Sequence, residues 1–200
     1  MPEREVPPWS KDARYDWNKG WWLLISVLVV VFDRLTKLWV YETFYSGEIR
    51  PVTSFFSLIL TFNTGAAFSF LAGAGGWQRP FFVVISVVAC LAFSWLLLRG
   101  GSRRFSLGLV LIIGGALGNL WDRIAYGRVI DFLLFHYQQW SYPAFNIADS
   151  AIVVGAVLLF ADGLRQRKYA VYEDQGSEGR GQGSEMRHCE ERSDEAIQKK

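Results

Sequence analysis

Cysteine and histidine are scarce in this sequence, and charge of either sign is nearly balanced. Of the two cysteines, Cys90 sits inside an apolar run and Cys189 in a polar tail, so no disulfide is expected. The only histidines, His136 and His188, each lack a second ligand at zinc spacing, so no metal site is expected. A net charge of +2, with no basic patch interleaved with stacking aromatics, leaves no footprint for a nucleic-acid partner. No internal repeat is visible. A small-residue cleavage site is also missing after the first apolar run. Asp33-Arg34-Leu35-Thr36-Lys37 follows instead, so that run reads as a retained helix rather than a cleaved leader.

What is abundant is apolar sequence, in 200 residues that include nine Trp and fifteen Phe. A membrane-spanning helix needs roughly 20 mostly apolar residues. Four stretches approach that length: Trp21 to Tyr41, Phe81 to Leu98, Phe105 to Trp121 and Phe145 to Ala161. The expected fold is therefore all-α and membrane-integral, a bundle of four transmembrane helices. Residues 45–80 form a first long connection, in which Val52 to Leu60 is apolar, β-branched and aromatic enough for a strand. A small extramembrane β element between helices 1 and 2 is expected there. Gly73 to Gly76 reads as a flexible turn, and Pro80 suits the opening of helix 2. Residues 122–144 read as a second long connection.

Three regions follow from composition. Residues 1–20 are a polar lead, 21–168 the membrane domain, and 169–200 a tail rich in Gly, Ser, Glu, Arg and Gln. Such a tail buries too little apolar surface to offset its ordering entropy, and is expected to be disordered and dispensable. Lys/Arg bias sets orientation. The lead carries Arg4, Lys11, Arg14 and Lys19, the turn between helices 2 and 3 carries Arg99, Arg103 and Arg104, and the C-terminal flank is basic. With four spans these segments share the cytoplasmic side, and both long connections face outward. Arg50, Arg79, Arg123 and Arg128 lie on the outer side and weaken the bias.

Charged groups within a membrane are costly and mark function. Here they gather at one boundary: Asp33, Arg34 and Lys37 in the outer half of helix 1, Asn63 in the first connection, Asn119, Asp122 and Arg123 at the outer end of helix 3, then Asp131, Asn146 and Asp149. Asp131 and Asp149 are eighteen positions apart, and an antiparallel return from helix 3 to helix 4 would set them side by side. Two carboxylates in one site hold a proton between them, which supplies an acid and a base for water attack on an amide. No serine or cysteine has an evident histidine partner, so a covalent mechanism fits less well. Each group also has a plainer reading. Asn146 and Asp149 suit a helix start, Asp33 and Lys37 an i, i+4 pair, and Asp122 and Arg123 a structural ion pair. Gly114 and Gly118 suit close helix packing. His136, Trp39, Trp121 and Trp140 suit the interface. The residues alone do not choose Asp131 over Asp122. A proton-coupled transporter also uses intramembrane carboxylates, but usually shows repeats and broken helices near the midplane.

Four segments in order resemble the lipoprotein signal peptidases, the signal peptidase II family. They are Asp33-Arg34-Leu35-Thr36-Lys37, Phe62-Asn63-Thr64-Gly65-Ala66-Ala67-Phe68, Gly114 to Arg123 followed by Gly127-Arg128-Val129-Ile130-Asp131-Phe132, and Phe145-Asn146-Ile147-Ala148-Asp149-Ser150. The resemblance covers roughly Trp21 to Arg167. It implies Asp131 and Asp149 as the catalytic pair, with Asp33, Lys37, Asn63, Gly65, Asn119, Arg123 and Asn146 in supporting or substrate-binding roles. It implies a bacterial inner-membrane enzyme with both termini cytoplasmic and the site facing the periplasm. The implied partners are membrane lipids and diacylglyceryl-modified prolipoproteins, cut before the lipidated cysteine. No cofactor is implied, because water is the nucleophile, and a monomer is expected.

Overall fold

The computed structural model describes residues 17–65 and 77–166. The lead up to residue 16, Ala66 to Gly76 with the expected turn, and the tail from residue 167 lie outside the described residues. A 3-10 turn, Trp17–Trp22, leads into α1, Leu23–Thr43. Two strands follow, β1 (Ile49–Pro51) and β2 (Phe56–Asn63), then α2 (Gln78–Arg99) and α3 (Arg103–Tyr126). The chain continues through β3 (Val129–Tyr137), β4 (Trp140–Ser141) and α4 (Ile147–Gln166). The described residues divide into two units, one up to Leu159 and one from Phe160. In the described part of the second, Gln166 Nε2 donates to Asp162 Oδ2 at 2.7 Å.

The fold is predominantly helical. Helices α2, α3 and α4 are each long and apolar enough to cross a membrane. Helix α1 has the length, at 21 residues, but carries Asp33, Arg34 and Lys37 in its interior. Its charges do not decide its outer surface: Asp33 and Lys37 are buried, while Leu24, Val27, Leu28, Val31, Phe32 and Leu35 are exposed. Helix α3 is central. Two-thirds (67%) of its most apolar stretch is buried, against 11% for α2 and 22% for α4. Small residues make that position possible. A Cβ on Gly114 would stand 2.8 Å from Val29 Cβ and 2.9 Å from the Ser26 carbonyl on α1, and one on Gly115 would collide with the Ala148 carbonyl on α4. The GxxxG spacing of Gly114 and Gly118 thus serves close packing. Ser26 Oγ adds a bond across that contact, donating to the Val110 carbonyl at 2.7 Å.

The sheet differs from the expected one. It has four antiparallel strands in the order β1-β2-β3-β4, so half of it comes from the connection between α3 and α4, not only from that between α1 and α2. Residues 129–137, read as part of a loop, are a continuous strand, mostly apolar, whose first four side chains, Asp131 among them, are buried. The predicted strand at Val52 to Leu60 is displaced toward the C-terminus, since residues 52–55 form the turn between β1 and β2. Register places Thr61 opposite Asp131 and Asn63 opposite Val129, with an irregularity between Leu58 and Thr61. Leu60, Ile130 and Phe132 pack with Val40 and Phe44 of α1. That apolar contact fixes β3 against the end of α1, and so fixes Asp131 relative to Asp33 and Lys37.

Candidate active site

Asn146 organises the site. It immediately precedes α4, and its side-chain oxygen accepts the Asp149 amide at 2.9 Å while Asp149 Oδ2 accepts the Asn146 amide at 3.2 Å. This is a reciprocal helix cap, so the plain helix-start reading is present. The same side chain has a second duty. Its Nδ2 donates to Asp131 Oδ1 at 2.7 Å, to Asn119 Oδ1 at 3.2 Å and to the Ile130 carbonyl at 3.3 Å. One fully buried asparagine therefore touches both Asp131, on β3, and Asp149, in the first turn of α4. The approach is from a strand and a helix, not from two helix ends as the sequence suggested.

Asn119 of α3 ties the second aspartate down. Its Nδ2 donates to Asp149 Oδ1 at 2.7 Å, and its Oδ1 accepts from both Asn146 and Lys37. With two donors aimed at its oxygen, the amide cannot turn over without losing both bonds. Lys37 is itself fully buried. Its ammonium lies 2.8 Å from Asp33 Oδ2, 2.9 Å from Asp122 Oδ2 and 3.0 Å from Asn119 Oδ1, which uses all three of its donors. Asp33 reaches on to α4, where its Oδ1 accepts the Ala148 amide at 2.9 Å. A carboxylate at a helix N-terminus is electrostatically favoured.

Asp122 turns to Lys37 and to Arg34, at 3.2 Å, rather than to its neighbour Arg123, which corrects the expected Asp122–Arg123 pair. It also accepts the amide of Ile130, the residue just before Asp131, at 3.3 Å. Arg34 further donates to the Tyr126 hydroxyl. Arg123 lies over the Phe82 ring, 5.0 Å from its centroid, and interacts electrostatically with Asp149, Asp131 and Asp122.

Asn63 hydrogen-bonds Asp131 and also accepts the Gly65 amide at 2.8 Å. Gly65 has φ +105°, and a Cβ there would run into the Phe82 ring, so both the conformation and the space call for glycine. Asp131 is 2% exposed. Burial first, and the negative charge of Asp149 second, push its carboxyl up to about 7. Hydrogen bonds from Asn63 and Asn146 and the charge of Lys37 act the other way.

All nine residues expected at the site belong to this cluster or border it. Sequence reasoning gave no role to Arg34 or to the Ala148 and Ile130 amides. Arg34 was visible as a third charge in α1, while the amides carry no sequence signal. The expectation that no serine meets a histidine is also corrected: Ser57 Oγ lies 2.8 Å from His136 Nε2 across β2 and β3. Ser57 is buried, and among the described residues no carboxylate pairs with His136, so this contact has the form of a cross-strand tie. No group of three or more His, Cys, Asp or Glu side chains among the described residues is arranged to hold a metal.

The family model described as signal peptidase (SPase) II matches residues 25–165, which contain every residue of this cluster. The chain is 58% identical over 146 residues to the lipoprotein signal peptidase of Paraburkholderia phytofirmans, covering 72% of this chain and 85% of that one. To the lipoprotein signal peptidase of Ralstonia nicotianae it is 53% identical over 148 residues, covering 74% and 86%. Two solved structures of bacterial membrane enzymes, determined by the in meso method at 2.3 and 1.9 Å, are also similar. The first has a TM-score of 0.67 at 30% identity, covering 74% of this chain and 90% of that one. The second has a TM-score of 0.63 at 31% identity, covering 71% and 91%.

Proposed function

Because the chain belongs to the signal peptidase II family, and is a peptidase on that ground, we propose that it removes signal peptides from diacylglyceryl-modified prolipoproteins, cutting before the lipidated cysteine with Asp131 and Asp149 as an aspartic pair. The observation that carries this reading is Asn146, which hydrogen-bonds both carboxyl groups at once.

The environments of the two acids support different roles. Asp149 accepts Asn119 Nδ2 and the Asn146 amide, and it sits in the first turn of α4. Donors thus hold both of its oxygens, which orients it to take a proton from an attacking water. Asp131, raised to about 7, is about half protonated at neutral pH and holds its proton below it. Asp149 then takes a proton from a water as its oxygen attacks the scissile carbonyl carbon. Asp131 gives its proton to the carbonyl oxygen, forming a neutral tetrahedral diol. As the carbonyl re-forms, its proton returns to Asp131, and Asp149 passes its own to the departing amine, the α-nitrogen of the lipidated cysteine. Arg123, facing both acids, balances the negative charge that remains throughout.

The membrane arrangement follows from the same contacts. With its charges turned inward and its outer face apolar, α1 serves as a fourth span beside α2, α3 and α4. Four spans put both termini on one side, which the Lys/Arg bias makes the cytoplasm, with the acids at the periplasmic edge. A substrate anchored by its acyl chains holds its scissile bond at that level. Asp131→Asn and Asp149→Asn each abolish cleavage of a lipidated precursor by purified protein while leaving the thermal transition in place. The same assay on unlipidated precursor gives little product from the parent enzyme. Cleavage by both asparagine variants at the parent rate would end the aspartic assignment.

A further inference from the structure

A second feature lies on the flank of α3 away from the acids. Helices α1 and α2 both pack on α3 but not on each other. Between them runs a cavity of about 580 Å³ lined by Val27 and Val30 of α1, Cys90 and Leu91 of α2, and Leu117 and Trp121 of α3. That volume is within the range of about 300–1,000 Å³ typical of ligand sites. The lining is almost wholly apolar. Along α3 it extends from Ile113 to Ile124, eleven residues, or about 16 Å at about 1.5 Å rise per residue. This is roughly half of a hydrocarbon core about 30 Å thick. The lining continues inward to Leu23 of α1 and Ser94 of α2, so the groove is at least one leaflet long and suited to an acyl chain entering from the outer edge.

The end of the groove nearest the acids is cationic. Arg34 is seven residues beyond Val27, on the same stripe of α1, and pairs with Asp122 and Tyr126. Arg79 is eleven residues before Cys90, three turns away on the same stripe of α2. Its Nε and Nη2 donate to the Arg123 and Ile124 carbonyls, both at 2.9 Å, which holds the guanidinium at the last turn of α3. Among the described residues no carboxylate lies within ion-pair distance of Arg79. A guanidinium has five N–H donors, so three of Arg79's remain for a ligand. Trp121 and Tyr126 add the aromatic groups common at headgroup depth.

We propose that the groove between α1 and α2 is a binding site for an anionic glycerophospholipid of the periplasmic leaflet, with an acyl chain along Val27, Val30 and Leu117 and the phosphate at Arg79. The occupant is a bilayer lipid, not the substrate, whose scissile bond belongs on the opposite flank of α3. Basic pockets between transmembrane helices hold anionic headgroups on the cytoplasmic side of membranes, and the same chemistry applies to a guanidinium at the outer edge.

Cys90 provides the readout. In the full-length chain carrying Cys189→Ser, modification of Cys90 by N-ethylmaleimide is followed in detergent with dioleoylphosphatidylglycerol or dioleoylphosphatidylcholine added. The glycerol lipid protects at about fivefold lower concentration, the scale expected of one arginine at an anionic headgroup. Arg79→Gln removes that preference and Arg79→Lys keeps it. Should Arg79→Gln fail to fold, the comparison of the two lipids on the parent chain stands by itself. Equal protection by both lipids, or none by either, overturns the proposal. So does protection that grows with protein concentration in lipid-free micelles, the mark of a second copy in the groove.

Discussion

Replacing Lys37 with methionine removes a buried ammonium and leaves its shape nearly filled. Three acceptors then lose a donor: Asp33, Asp122 and Asn119. Breaking a buried ion pair by deleting one partner costs about 3–5 kcal/mol, because the remaining charge is stranded. Two buried carboxylates are affected here, but each keeps help. Asp122 retains Arg34 and the Ile130 amide, and Asp33 retains the Ala148 amide. The cost should therefore fall near the lower limit, about 3 kcal/mol, or roughly 6–12 °C in the melting temperature of a chain this long. Thermal unfolding of purified Lys37→Met in detergent measures it. Adding Asp33→Asn to the same chain should recover more than half of the loss, because a neutral amide is far cheaper to bury unpaired than a carboxylate. The folded fraction of Lys37→Met should also cleave more slowly, since Asn119, which donates to Asp149, then keeps only one of the two donors that fix its amide. A loss of less than about 1 kcal/mol, the value of an exposed pair, would refute the picture of a saturated buried lysine. Failure of Asp33→Asn to rescue would refute it as well.

Asn146→Asp keeps an oxygen to cap α4 but exchanges the donor facing Asp131 for a carboxyl. The buried third carboxyl should lower the unfolding temperature, and the folded fraction should cleave at least about a hundredfold more slowly, the scale of losing one positioned donor. A rate within a factor of a few would detach Asn146 from the chemistry. Gly65→Ala should destabilise by about 1–3 kcal/mol through its positive φ. Adding Phe82→Ala should relieve only the collision and not the backbone strain. Full recovery in the double variant, read by thermal unfolding, would show that space alone requires the glycine.

Much of this architecture is legible in the order of residues. Apolar runs near spanning length announce α2, α3 and α4, since no other use of such runs is common in a chain this size. Asp33 and Lys37 are legible as a pair because i, i+4 spacing is a local rule. Asn146 and Asp149 are legible as a cap for the same reason. What stays hidden is nonlocal. Asp122 stands beside Arg123 in sequence, yet its partners Lys37 and Arg34 lie on another helix, and only the close packing allowed by Gly114 and Gly118 brings them within reach. The strand Val129–Tyr137 carries no alternation of polar and apolar residues at its start, because both of its faces are covered there. Apart from Asp131 it therefore reads as an apolar stretch after a helix, with no strand period. The Ser57–His136 contact depends on the register of β2 against β3, which no local pattern specifies.

The measurement that most directly tests the shared proton is the pH dependence of kcat/KM for a lipidated precursor, taken with the parent enzyme in a single detergent. The folded-state pKa of Asp131, about 7, is above its ordinary value of 3.8, so the proton it must donate is present below neutrality and lost above it. Activity should fall by about tenfold per unit once pH passes about 7, with the loss of one proton. A rate that stays level to pH 9, or climbs as Asp131 ionises, would contradict an acid at that position.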